Sequence, residues 1–175
     1  TIAIEVPGAS LAARPNSERT THSVHVSLLA LVKRADGQIV DRFSVDAPYE
    51  VPEANLAALR AGHVTYTHPV NLPPGRYTVE TAVIDREGGR SSTNVIQMET
   101  PGRRSGIGLS SVVLVQRIEP AGGPGDAADP LVFQGQRAVP LLAASLNPGT
   151  KPYAYFVVYP DKTSSEQPKI QVEFI

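Results

Sequence analysis

Asp161, Thr163 and Ser165 stand at alternate positions directly after the apolar run 155–159. Oxygen side chains spaced Asp-x-Ser-x-Ser after a strand can hold a hard divalent cation. Here threonine takes the first serine position, Pro160 precedes the aspartate, and ten residues follow Ser165. A metal fold of that kind needs alternating helices and strands beyond the motif. A hairpin loop of turn-forming residues accounts for 161–165 better. Of the four histidines, His22 and His25 are three apart on a strand and point to opposite faces. His63 and His68 share that odd spacing. The arrangement left for joint chemistry is a cross-strand pair of His25 and His68. The plainer reading makes His22, His25 and His63 surface residues and His68 a half-buried, hydrogen-bonded one.

Nucleophiles are placed no better. Ser110 and Ser111 lie within an apolar strand, and no Gly-x-Ser-x-Gly elbow occurs. Gly106-x-Gly108-x-x-Ser111 lacks the third glycine of a dinucleotide loop and opens no helix. Asp126 and Asp129 lack the spaced acidic pattern of a calcium loop. Asp85 and Glu87 are neighbouring turn carboxylates with nothing to hold a substrate between them. The expectation is a protein that is not an enzyme, with no catalytic residue, no metal ligand and no cofactor. Tyr153, Tyr155 and Tyr159 differ. At even spacing they share one face of a continuous strand, which makes them the candidate interaction surface. Such a stripe can anchor a protein partner or stack sugar rings. Sugar platforms commonly use tryptophan, and this chain has none.

Composition narrows the classes. The chain has 175 residues, with 16 Lys and Arg against 17 Asp and Glu for a formal charge of −1. That balance gives no reason to expect an electrostatic nucleic-acid binder. With 0 cysteines there is no disulfide framework, thiolate metal site or thiol nucleophile. No apolar run approaches the roughly 18 residues of a membrane span. The start at Thr1, without a charged n-region or an apolar h-region, reads as a fragment or a processed chain.

The elements that must position these side chains are strands. Residues 1–6 read as a short β-branched strand. In 23–33, Val24, Val26, Leu28, Ala30 and Val32 share one face, and Leu29 and Leu31 lie on the other. A strand apolar on both faces sits centrally in a sheet or against a second layer. Asp36-Gly37 is a hairpin signal, and the return strand 38–46 turns Ile39, Phe43 and Val45 inward. Residues 53–61 read as a two-turn helix between Pro52 and Gly62. Strands follow at 63–70, 76–85 and 91–98, with turns at 72–75 and 85–89. Beyond a polar break at 100–105, strand 107–118 leads into the Gly- and Pro-rich stretch 119–130, a flexible loop. Three further strands read at 137–142, 152–159 and 169–175. The fold class is all-β: an antiparallel β-sandwich of immunoglobulin or fibronectin-III type over 1–101, then a second, truncated β unit over 102–175. A sandwich takes about 100 residues, and the second unit is shorter. It is therefore expected to lean on the first unit or to form a homodimer that shields its edges.

Leu72-Pro-Pro-Gly-Arg-Tyr-Thr-Val79, running on to Val83-Ile84-Asp85, resembles the hairpin of fibronectin-type-III-like and related bacterial sandwiches. Four later stretches are more specific. They are Leu109-Ser-Ser-Val-Val-Leu-Val-Gln-Arg-Ile-Glu-Pro120, Asp129-Pro-Leu-Val-Phe-Gln-Gly135, Phe156-Val-Val-Tyr-Pro-Asp161 and Pro168-Lys-Ile-Gln-Val-Glu-Phe174. Together they resemble the C-terminal region of acidobacterial VWFA-related domain proteins. The resemblance covers roughly 22–175 and is strongest after 70. It implies a sandwich region appended to an N-terminal von Willebrand A-type domain, which would carry the metal site. It also implies an extracytoplasmic protein, secreted or of the cell envelope. In that family the strand matching 169–174 runs on into further strands. The expected function is a non-catalytic interaction or spacer module whose partner is a protein or a domain of the parent protein. The alternative is a carbohydrate-binding module using the tyrosine face.

Overall fold

The structure, a computed structural model, describes residues 1–175 apart from 19, 103–105, 123–128, 143–148, 150, 162, 165–167 and 174–175. The fold is all-β with antiparallel sheets. The chain divides into two compact units, Thr1–Pro101 and Gly102–Ile175.

In the first unit the strands are β1 (Ile2–Pro7), β2 (Arg14–Pro15), β3 (Thr21–Arg34), β4 (Ile39–Pro52), β5 (His63–His68), β6 (Gly75–Asp85) and β7 (Arg90–Thr100). Helix α1 (Glu53–Ala61) connects β4 to β5. Strand β3 organises the unit because it is apolar on both faces. It pairs with β4 along one edge and with β2 and β6 along the other, and β7 completes the five-stranded sheet beyond β6. The even-numbered residues of β3 from His22 to Val32 are buried, and β1 and β5, paired with each other, pack on that inner face. Val6 joins Val24 and Val26, with Val64 and Tyr66 of β5 against them. A second cluster unites Val32, Tyr77 and Val79 with Ile2, Val40, Leu72 and Met98.

Two local features depart from simple alternation. The β3–β4 hairpin turns at Asp36-Gly37, where Gly37 takes φ 85° and the Asp36 carboxylate accepts the Gln38 N–H at 2.9 Å. A register shift between Val32 and Lys33 follows. That one-residue slip turns Ile39 outward and sends Val40 to the core in its place, while Phe43 and Val45 face inward as expected. Strand β4 also runs on past residue 46 to Pro52. Proline is tolerated there because β4 is an edge strand, and Pro48 loses no ladder bond.

Gly8, in the short 3-10 turn Gly8–Ser10 after β1, donates its N–H to the Gly62 carbonyl at 2.9 Å. A Cβ at this position would overlap the Leu59 carbonyl, so only glycine allows the two backbones to meet. Gly8→Ala is expected to destabilise the first unit by about 1–3 kcal/mol, read as a lower urea midpoint. An unchanged midpoint would mean that this contact adds nothing.

In the second unit the strands are β8 (Gly108–Leu109), β9 (Val113–Pro120), β10 (Val132–Phe133), β11 (Gln136–Pro140), β12 (Tyr153–Tyr155) and β13 (Val158–Tyr159). They form a four-stranded sheet in the order β10-β11-β9-β12 and a β13-β8 pair. The small core is Val115, Leu131 and Ala138, with Val113, Phe133 and Tyr155 against it. The expected strand 107–118 is broken at 110–112, and its second half extends to Pro120, where it pairs with Gln136. The expected flexible loop 119–130 thus begins within a strand. Residues 123–128, Asp126 among them, lie outside the described residues. Asp129 closes the stretch in a turn, its carboxylate accepting the Leu131 N–H at 3.0 Å. Residues 168–173 carry no strand, and 174–175 lie outside the described residues.

Candidate functional site

The outer face of the five-stranded sheet is the most extensive surface in the first unit with an unexplained composition. Cross-strand register places Leu29 opposite Ser44 and Ala82, Leu31 opposite Arg42 and Glu80, and Ser27 opposite Asp46 and Ile84. Glu80 is in turn opposite Val95 on β7. Leu29 is 43% exposed, Ile84 36% and Val95 63%, so an apolar strip crosses the sheet in the open. Glu80, which lies between Leu31 and Val95, is tied to Lys33 Nζ at 2.6 Å. The signal for this strip was Leu29 and Leu31 on the second face of β3. The strand is central in its sheet, yet among the described residues of its unit no second layer covers that face.

One end of the strip holds a serine, a histidine and an aspartate within bonding distance. Asp46 Oδ1 accepts the Ser27 hydroxyl at 2.6 Å and lies 2.8 Å from His25 Nε2. The bonds from Ser27 and His25 hold the Asp46 carboxyl below its usual range. The order of contacts is wrong for nucleophilic catalysis. There the hydroxyl must bond to the imidazole that takes its proton, whereas Ser27 donates to the carboxylate. Arg86 Nε also donates to Ser27 Oγ at 2.8 Å. The cluster behaves as a polar brace between β3, β4 and the end of β6.

Of the other histidines, His68 and His22 each have a carboxylate nearby. His68 lies 3.3 Å from Asp41 and stacks on Phe43 at 4.4 Å between centroids. Phe43 faces inward opposite Ala30, so His25 and His68 occupy opposite faces of the sheet and form no joint site. His22, expected at the surface, is buried, because its even position puts it on the inner face beside Val24. Its Nδ1 lies 3.3 Å from Glu53 Oε2. His63 is exposed.

A shallow apolar recess of about 360 Å³ opens between β4, α1 and β5, lined by Val24, Tyr49, Val51, Leu59 and Val64. Beside it the Tyr49 and Tyr66 hydroxyls meet at 3.2 Å. Burial and that bond push the Tyr66 phenol well above its usual range.

The three tyrosines of the second unit are divided between two strands. Tyr153 and Tyr155 lie on β12, paired with β9, while Tyr159 lies on β13, paired with β8. Tyr153 and Tyr159 are exposed. Tyr155 turns to the core, where it stacks on Phe133 and donates its hydroxyl to the Pro130 carbonyl at 2.7 Å. Burial, then the proximity of Tyr159 and Asp129, raises its phenol. The break at 156–157 has a local cause. Ser110 Oγ accepts the Val157 N–H at 2.8 Å, and the Ser110 N–H donates to the Val157 carbonyl at 2.9 Å, so the chain passes from β9 to β8 at this point. Ser110 is a connector, and Ser111 is exposed.

Asp161 accepts both the N–H and the hydroxyl of Thr163, at 2.9 and 2.7 Å. Those two bonds hold its carboxyl low and define an Asx turn. Ser165 lies outside the described residues. Among the described residues no group of three or more metal-ligating side chains is assembled, and no helix is long and apolar enough to cross a membrane. Comparison with family models, curated proteins and solved structures finds no match.

Proposed function

We propose that the chain is a non-catalytic protein-interaction module, built of immunoglobulin- or fibronectin-III-like units in an extracytoplasmic protein. The observation that carries this reading is the exposed apolar strip of Leu29, Ile84 and Val95 on a hydrogen-bonded sheet. Open apolar strips rimmed by polar groups mark docking surfaces. Around the strip, the side chains able to do chemistry bond to one another: Ser27 and His25 to Asp46, and Arg86 to Ser27. Two features support the sandwich type. The β1–β5 pair packs on the inner face of the five-stranded sheet. At the start of β6 the Tyr77 hydroxyl bonds back to the Pro73 carbonyl at 2.8 Å, as in the tyrosine corner of such folds.

Photo-cross-linking tests the reading. A benzophenone side chain at Leu29, in the full chain within its native host, is expected to yield a discrete protein adduct. The same group at exposed His63 is the control. Equal yields at both positions, or none at Leu29, would refute the docking role of the strip.

A further inference from the structure

The free edge of β7 carries a more specific inference, which rests on the reading of the chain as an interaction module. Among the described residues β7 pairs only with β6, and Ser91–Gln97 are all exposed. Two bonds establish which of its backbone groups point outward. The Val95 N–H is taken by the Asn94 side chain at 2.9 Å, and the Asn94 carbonyl accepts the Thr81 hydroxyl of β6 at 3.4 Å. Even residues therefore bond inward, and Ser91, Thr93, Val95, Gln97 and Glu99 present their N–H and C=O groups at the edge.

The opposite edge of the same sheet is blunted. On β4 the Arg42 N–H is likewise outward, bonded to Asp41 Oδ1 at 2.7 Å. Pro48 shares its parity, so that outward row lacks a donor, and it carries the carboxylates Asp46 and Glu50. Both are devices that keep edges from pairing. Strand β7 has no proline, and its outward row carries a single carboxylate, Glu99, near its end; from Ser91 to Met98 it contains no glycine and no charge.

We infer that β7 pairs antiparallel with β7 of a second copy of this chain, joining two five-stranded sheets across a two-fold axis. The outward row chooses this occupant, because it is complementary to itself about Val95. Arg90 and Glu99, at the two ends of the strand, are held within their own chain by Asp85 and Arg76. In-register parallel pairing would set Glu99 beside Glu99. A two-fold perpendicular to the sheet keeps equal faces together, so only residues of equal parity can be opposite. Centring on Val95 engages the whole outward row. Val95 then faces Val95 of the second copy, Thr93 faces Gln97, and the Ser91 hydroxyl can donate to Glu99. No like charges are opposed, and apolar surface at Val95, 63% exposed, is covered. The contact is isologous and closes at two copies. The Asn94 side chain gives up the Val95 N–H to the incoming carbonyl.

The test is sedimentation of the full chain over a wide concentration series. The parent chain is expected to show a reversible monomer–dimer equilibrium. Val95→Lys and Val95→Glu place like charges on the axis, and each is expected to weaken the dimer by at least roughly tenfold with unchanged circular dichroism and melting. An equimolar mixture of the two is expected to recover the dimer mass, since the introduced lysine then faces the introduced glutamate. A parent chain that stays monomeric throughout would overturn the inference. So would a Val95→Lys variant that dimerises like the parent, or a mixture that associates no better than either variant alone. Should either variant fail to fold, Thr93→Lys and Gln97→Glu supply a second test. Position 93 of one copy faces position 97 of the other, so opposite charges meet only when the two variants are mixed. The mixture is expected to associate more tightly than either variant alone, and equal association would overturn the inference. A monomeric chain that still cross-links through Leu29 to another protein removes this dimer and leaves the docking role standing.

Discussion

Replacing Tyr77 by alanine is expected to cost the first unit about 3–5 kcal/mol, the range for deleting a buried aromatic ring. Tyr77 is 4% exposed and sits in the cluster of Val32 and Val79, with Ile2, Val40, Leu72 and Met98 packed around it. Those residues come from β1, β4, the 72–75 turn and β7, so the cluster that holds Tyr77 joins β1 to the five-stranded sheet. Its hydroxyl adds the bond to the Pro73 carbonyl, which pins the turn to the start of β6. The two contributions separate. Tyr77→Phe keeps the ring and is expected to cost only about 1 kcal/mol, the net value of one hydrogen bond. Urea denaturation of the three proteins measures both. If phenylalanine were as damaging as alanine, the bond and not the ring would dominate, and the packing account would fail.

The second large effect is at Asp85. Its carboxylate is 4% exposed and accepts the Ala12 N–H at 3.0 Å, the Gly88 N–H at 3.0 Å and Arg90 Nη2 at 3.2 Å. It thereby ties the segment after β1 to the β6–β7 turn. Gly88 fits only because it lacks a Cβ, which would overlap Asp85 Oδ2. Asp85→Ala leaves two amide donors and a guanidinium without their acceptor, and is expected to cost about 3 kcal/mol. Burial by itself pushes this carboxyl up, but the bonds from Gly88, Ala12 and Arg90 outweigh it and hold it below the usual range. A folded-state value below the unfolded one gives stability that is fully present above the unfolded pKa of about 3.9. That stability is lost as pH falls through the lower folded value. Asp85→Asn should therefore be less stable than the parent at neutral pH, with the gap closing in acid. Urea midpoints across a pH series measure it, and a gap that stays constant into acid would contradict the ionised role.

Much of the first unit was legible because its signals are local. Alternation in 23–33 marked β3, the Asp36-Gly37 pair marked its hairpin, and the Pro52 and Gly62 punctuation marked α1. Ile39 shows where such reading stops, since a single register slip, invisible in residue types, exchanged it with Val40. The tyrosines show it again. Even spacing put Tyr153, Tyr155 and Tyr159 on one face only if the strand was continuous, and Ser110 interrupts it by taking the Val157 N–H. His22 was read as polar and therefore outside, but its parity with Val24 buries it.

The sequence alone determined the all-β antiparallel class and the position of most strands of the first unit. Those follow from period-two hydrophobicity and turn chemistry, which each segment carries by itself. Tertiary structure decided which sheet face is covered, which of β4 and β7 offers an open row of donors, and which serine, histidine and carboxylate meet. These depend on strand order and register. Strand order and register come from pairings between segments far apart in the chain, and they balance the burial of every face at once.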